Sequence, residues 1–297
     1  MAIQWFPGHM AKARRQVEER LKQVDLAFEL LDARLPLSSR NPLIDELVGG
    51  KARVILLTKS DLADPEATRQ WSESFRSADV KVLPIDTLSG TGVKRIPSIS
   101  RDLMKDRLAA LREKGIRHRR IRAMVLGVPN VGKSALINRL AGRGAAKTGD
   151  KPGVTRSQQW IKMGNGMELL DTPGILWPKF EDPDVGLRLA ASGAIREDIL
   201  PVDEVALYLL GYLADRYKER LNERYRLQVT EDRDPLSLLE EVGRRRGCMR
   251  RGGEVDLEKA ADVVLRDFRS GRFGRISLEF PRDWRKEEPD EGEGNDP

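Results

Sequence analysis

The sequence has little that would serve extracellular, metal-cluster or membrane chemistry. One cysteine in 297 residues, Cys248, excludes an internal disulfide framework and a thiolate metal cluster within one chain, which suits a reducing cytosol. No apolar run is long enough to span a bilayer, so no membrane partner is expected. The stretch Met1-Ala2-Ile3-Gln4-Trp5-Phe6-Pro7-Gly8 carries neither a charged region followed by an apolar one nor an Arg- and Ser-rich presequence, and a cytoplasmic location is the expectation. Internal repeats and low-complexity core segments are absent too. What is there is charge. Charged residues make up 34% and hydrophobic ones 39%, the composition of a soluble folded chain with a heavily charged surface. The net charge is +6, yet the last eleven residues contain six acidic ones, so the first 286 carry +12. Such a body attracts polyanions; a basic but merely solvated surface is the alternative.

Met10, Ala13, Val17, Leu21 and Val24 recur at helical spacing, and Leu26-Ala27-Phe28-Glu29-Leu30-Leu31 is an apolar run of strand length. Similar runs stand at Val54-Leu57, Val80-Leu83 and Ala123-Leu126, with helical stretches near 65–77 and 93–113 between them. That alternation predicts an α/β fold with a mostly parallel sheet. A basic linker, Arg117-His118-Arg119-Arg120, leads into the fourth run. After Trp177-Pro178 the character changes. One apolar helical stripe runs from Val202 through Leu221 and another from Leu257 through Phe268, predicting an all-helical second domain. The expected division is therefore 1–178, 179–285 and an acidic, disordered tail over 286–297.

Gly127-Val128-Pro129-Asn130-Val131-Gly132-Lys133-Ser134 fits the P-loop pattern, preceded by a strand and followed, from Ala135 to Leu140, by a helix. The glycines let the backbone fold around phosphates, and the amides from Asn130 to Ala135 point at their oxygens. Lys133 reaches the β and γ phosphates, and Ser134 is placed to hold Mg²⁺. Downstream, Asp171-Thr172-Pro173-Gly174 ends the strand Met167-Leu170, where Asp171 can orient the metal shell and the Gly174 amide can meet a γ-phosphate. Between these motifs Thr155 stands in a Gly- and Lys-rich loop, where its hydroxyl could join the metal.

Thr58-Lys59-Ser60-Asp61 follows the second strand. A carboxylate at Asp61 accepts two hydrogen bonds from guanine N1 and N2, a donor pair that adenine lacks, and the Lys59 stem packs along the base. Thr58 gives a hydroxyl where the usual motif has an Asn amide. Asp86 and Thr87 end the next strand, where a second base-contacting loop belongs. The base motif thus precedes the P-loop, the order of a circularly permuted Ras-like G domain.

These motifs in this order resemble the bacterial YlqF/RbgA family of ribosome biogenesis GTPases over about residues 1–285. Trp5-Phe6-Pro7-Gly8-His9-Met10, Asp32-Ala33-Arg34 and Asp171-Thr172-Pro173-Gly174-Ile175-Leu176-Trp177-Pro178 carry the likeness further. The resemblance implies a cytoplasmic P-loop NTPase that binds GTP and GDP. It also implies hydrolysis coupled to late maturation of the large ribosomal subunit, with the C-terminal helices on ribosomal RNA. Two alternatives stay open: a nucleotide-gated RNA-binding module, and a GTPase acting on another RNA such as tRNA.

In Ras-like proteins a glutamine next to the glycine of this Asp171–Gly174 motif orients the attacking water. Here Gly174 is followed by Ile175 and Leu176, so the polar group must come from elsewhere in the chain, a partner or a cation. Permutation puts residues 1–24 ahead of the first strand, and a helix of about fifteen residues spans roughly 22 Å, enough to bring His9 back to the phosphate side. His9 is the expected water-positioning residue; a surface or capping histidine is the alternative. Asn130 resembles the asparagine of potassium-dependent GTPases, so K⁺ is a second expected cation. Arg244, Arg245, Arg246, Arg250 and Arg251 flank a glycine-containing turn and form the candidate RNA-binding cluster.

Overall fold

The computed structural model describes residues 14–15, 17–116, 119–142, 159–163, 166–172, 174, 176, 180, 182–195, 199–229 and 233–283. The expectations for His9, His118, Thr155, Ile175, Trp177 and the acidic tail lie outside the described residues.

Six strands form one sheet: β1 (Leu26–Asp32), β2 (Arg53–Thr58), β3 (Val80–Pro84), β4 (Ile121–Leu126), β5 (Gln159–Lys162) and β6 (Met167–Asp171). Their order is β3-β2-β1-β4-β6-β5, with β5 the antiparallel edge and every other pairing parallel. Counted from β4, the strand that feeds the P-loop, the order reads 2-3-1-4-5-6, the arrangement of a Ras-like G domain. Permutation has moved the start of the chain and left the sheet alone. β1 and β4 are neighbours at the centre, where a doubly wound sheet opens a crevice beyond its carboxyl ends.

All seven residues of β1 are buried, as expected for a strand covered on both faces. Leu26, Phe28 and Leu30 join one hydrophobic cluster with Val54, Leu56 and Val125, while Ala27 and Leu31 point to clusters on the other face. The helices Val202–Arg216, Lys218–Tyr225, Pro235–Arg246 and Leu257–Arg269 pack together, and Leu209, Leu213, Val264 and Phe268 belong to the same cluster as Leu30 and Val125. The sheet and the helical part therefore share one continuous apolar core.

Four helices begin alike. Asn41, Asp64, Asp182 and Asp234 each accept a hydrogen bond from a first-turn amide, and each is followed by proline at the first helical position. Proline gives up a donor that would have no intrahelical partner there, and its fixed φ suits the helix. After the last long helix, residues 276–279 return to the sheet: Ile276 N–H donates to Leu62 O at 2.9 Å and Leu278 N–H to Arg34 O at 2.7 Å. No helix of the described residues is long and apolar enough to cross a membrane.

Candidate functional site

The P-loop leaves β4 and wraps around its own lysine. Gly127 has φ +149, and a Cβ there would lie 2.7 Å from Leu30 O, so only glycine lets the loop pass β1 this closely. Asn130 (φ +55) and Gly132 (φ +104) complete the turn into the helix Lys133–Ala141. Buried Lys133 donates to Gly127 O at 3.1 Å and Val128 O at 2.7 Å. Burial pushes its pKa down to about 8 against the upward pull of Asp171. Ser134 and Ala135 sit half-buried in the first helical turn.

Asp171, at the end of β6, is 1% exposed, and its carboxyl is pushed up by burial against the pull of Lys133. Its Oδ1 accepts no hydrogen bond among the described residues. A buried acceptor left so costs about 1–3 kcal/mol. With the Ser134 hydroxyl this oxygen supplies the hard donors that Mg²⁺ prefers, so the residues present fit that ion. When bound, Mg²⁺ neutralises charge on the β and γ phosphates. A Cβ on Gly174 would fall 2.7 Å from both N and Cα of Pro129, so the Asp171–Gly174 motif lies with its glycine backbone directly on the P-loop.

The base motif is tied to the same loop. The Thr58 hydroxyl, 1% exposed, donates toward Val131 O at 2.7 Å, with Leu31 O at 3.1 Å. Thr58 therefore holds the P-loop backbone, a task that an alcohol can perform in place of an amide. Ser60 N–H donates to Ile85 O at 3.2 Å and joins the two base loops. Asp61 is exposed, and its carboxyl is raised by partial burial and by the like charge of Asp86. Asp86 itself accepts from Leu88 N–H at 2.7 Å and Ser89 N–H at 3.0 Å. It shapes its loop, and despite burial the Ser89 side chain and those amides hold its carboxyl below its ordinary value. Thr87 follows it, half-buried.

Sequence reasoning gave no site role to Asp32, Arg34, Arg269 or Glu279, which help join this site to the helices. Asp32 accepts from Lys59 Nζ at 2.8 Å and, in a two-pronged pair, from Arg34 Nε at 2.9 Å and Nη2 at 2.7 Å. Despite full burial, Arg34 and Lys59 hold the Asp32 carboxyl far below the ordinary carboxylate range. Arg34 is 1% exposed; its Nη1 donates to Phe268 O at 3.2 Å and its guanidinium stands 4.6 Å from the Phe268 ring centre. On the P-loop side, Asn130 Nδ2 donates to Gly193 O at 2.8 Å, and Arg269 donates to Ala190 O and Ala191 O just before Gly193. The base motif reaches the helical part through Asp32 and Arg34, and Arg275 bonds Ser60 O at 3.1 Å; on the P-loop the link is Asn130. A further link is Glu279, fully buried, whose carboxylate accepts from Leu37 N–H at 2.7 Å, Ser38 N–H at 3.0 Å and the Ser38 hydroxyl.

The candidate RNA cluster is partly neutralised. Arg244 lies 2.8 Å from Glu240, Arg245 3.6 Å from Glu241, and Arg250 3.3 Å from Asp256. Arg246 packs 5.1 Å from the Tyr225 ring centre and 3.7 Å from Asp267. Exposed Arg251 makes no ion pair among the described residues.

The comparisons agree with this geometry. A family model described as 50S ribosome-binding GTPase matches residues 122–237. Ribosome biogenesis GTPase A of Bacillus licheniformis is 50% identical over 283 residues, covering 95% of this chain and 100% of that protein. The chain belongs to the ribosome biogenesis GTPase A family. Its Thermotoga maritima relative is 33% identical over 281 residues, 95% of each chain. A structure of GNP-bound YlqF from T. maritima superposes with a TM-score of 0.62 at 26% identity, covering 91% of this chain and 98% of that one. As a member of this GTPase family, the protein hydrolyses GTP to GDP and phosphate.

Proposed function

We propose that this GTPase acts in ribosome assembly by binding the maturing large subunit and its rRNA in the cytoplasm, with GTP hydrolysis as a late checkpoint that permits release. The observation that carries this reading is the double attachment of the helical part: Arg34, which shares Asp32 with Lys59 of the base motif, to Phe268, and Asn130 of the P-loop to Gly193. Nucleotide that rearranges either motif changes how the helices are held, and helices engaged on RNA act back on the nucleotide by the same free energy. In this reading Thr58 to Asp61, with Asp86 and Thr87, receive the guanine end. Asn130 to Ala135 and Gly174 receive the phosphates, and Ser134, Thr155 and Asp171 hold Mg²⁺. His9 orients the attacking water. K⁺ takes its place at Asn130, whose amide plane is fixed by the bond to Gly193. Arg244, Arg245, Arg246, Arg250 and Arg251 contact RNA.

GTP and ATP hydrolysis measured with and without large subunits, in K⁺ and in Na⁺, tests these points together. Turnover selective for GTP, stimulated by subunits and faster in K⁺ is expected; turnover indifferent to subunits would reduce the protein to a nucleotide-gated binding module. For the water-positioning role, His9→Ala should keep GTP affinity and lose subunit-stimulated turnover.

A further inference from the structure

The chain's positive charge is concentrated where neither the nucleotide nor the cluster at 244–251 accounts for it. Residues 94–122 contain eleven Lys and Arg against three Asp and Glu. Four of these arginines share two carboxylates. Arg107 and Arg119 lie 3.3 and 2.8 Å from Asp25, and Arg120 and Arg122 lie 3.9 and 3.0 Å from Glu168. Lys94, Arg95, Arg101, Lys105, Arg112 and Lys114 are exposed and make no ion pair among the described residues. Nearby Lys51 has its pKa lowered, by burial first and then by Arg107, a sign that the local potential is positive. Holding so many like charges together costs stability, and a polyanion would remove that cost.

The surface also has apolar relief. The helix Lys105–Glu113 buries none of its residues, which is unusual for a helix packed only on its own protein. Against it opens a cavity of about 180 Å³ with Leu108, Leu111 and Ile116 in its wall and Arg101, Arg112 and Arg119 around it. From Arg119 the basic row continues to Arg122, whose guanidinium stands 5.2 Å from the ring centre of Trp160, 36% exposed on edge strand β5. The cavity sits at the amino end of β4, while the P-loop leaves the other end, a strand length of roughly 20 Å away; Trp160 stands between them, in register with Leu170 and Met124.

We propose that this face is a second RNA-binding surface, in which Arg101, Arg112 and their neighbours hold phosphates while the cavity and Trp160 receive unstacked bases. Exposed aromatic rings and guanidinium planes are the groups on which single-stranded bases stack, and the surrounding cations supply the sequence-independent attraction. A lipid surface would instead call for large apolar side chains projecting from the helix, whereas Leu108 and Leu111 are half-buried. The proposal rests on the RNA-directed reading above and adds a contact site to it.

The test is fluorescence anisotropy of a labelled 20-nucleotide single-stranded RNA titrated with the full chain at several KCl concentrations. Arg101→Ala/Arg112→Ala should leave basal GTP hydrolysis unchanged and weaken RNA binding roughly tenfold at 0.1 M salt. The slope of log affinity against log salt should fall in magnitude by about 1.4, two contacts at about 0.7 each. Trp160→Ala should weaken binding by a similar factor and leave the slope unchanged. If the double variant binds RNA like the parent while Arg250→Ala/Arg251→Ala loses it, this surface is refuted and the RNA reading stands. If the parent binds no RNA, both fall. Parent protein that prefers phosphatidylglycerol vesicles to RNA, through these same arginines, would overturn RNA as the occupant.

Discussion

Replacing Arg34 with methionine probes the joint between the base motif and the helices. Methionine keeps much of the length and the apolar contact with Phe268. It leaves the buried Asp32 carboxylate with Lys59 as its only cationic partner, and Phe268 O without the guanidinium donor. Breaking a buried pair from one side costs about 3–5 kcal/mol, and because Lys59 remains we expect the lower end, about 3 kcal/mol. With an m-value of about 3 kcal/mol/M, the urea midpoint should fall by about 1 M. Asp32→Asn/Arg34→Met removes both charges, so the two changes should be non-additive, with a coupling of about 1–3 kcal/mol. Equilibrium urea unfolding of the parent, both single variants and the double variant measures every corner of this cycle. A single variant within about 0.5 kcal/mol of the parent, or strictly additive effects, would refute the role given to the pair.

Three further outcomes are expected. Asp61→Asn replaces a two-bond acceptor with an acceptor and a donor, so GTP affinity should fall roughly tenfold or more while xanthosine triphosphate, which offers a carbonyl at that edge, gains; competition binding reads both. Gly174→Ala drives a methyl group into Pro129, so binding of a non-hydrolysable GTP analogue should weaken more than GDP binding, and equal losses would contradict the placement of Gly174 against the loop. Glu279 is pushed up to about 6 by burial, above its ordinary 4.5, so the folded state holds its proton more tightly than the unfolded chain does. That stabilisation is full below about pH 4.5 and is lost as pH rises through 6, about 2 kcal/mol in all. The urea midpoint of the parent should therefore fall between pH 5 and 7 relative to Glu279→Gln, and parallel profiles would count against it.

The five parallel strands were legible because each carries an apolar run, wholly buried in β1 and β2, and the phosphate and base motifs because their glycines, lysines and carboxylates sit at fixed offsets within short stretches of chain. Edge strand β5 was not read: four residues, Gln159–Lys162, leave too short an alternation. The helices at Pro42, Pro183 and Pro235 were missed although each announces itself with Asn-Pro or Asp-Pro, a stronger signal than their interrupted apolar stripes. The stripe from Val202 to Leu221 reads as one helix, yet it breaks at Tyr217 (φ −139), whose hydroxyl bonds the backbone of Ser277. A partner sixty residues away decides that break, and no local pattern can show it. The same holds for Lys59, Asp32, Arg34 and Phe268, which become one network only after the chain has folded.

The return of residues 276–279 to the sheet has a consequence for synthesis. Leu37 and Ser38 N–H are bonded by Glu279, and Arg34 O by Leu278, across more than 240 positions of sequence. While a ribosome is still making this chain, the segment that positions Lys59 lacks these bonds until residue 279 has emerged. Contacts so distant in sequence form slowly. The nucleotide site of a nascent copy is thus completed late, and a chain stopped before Glu279 leaves those buried groups without their partners.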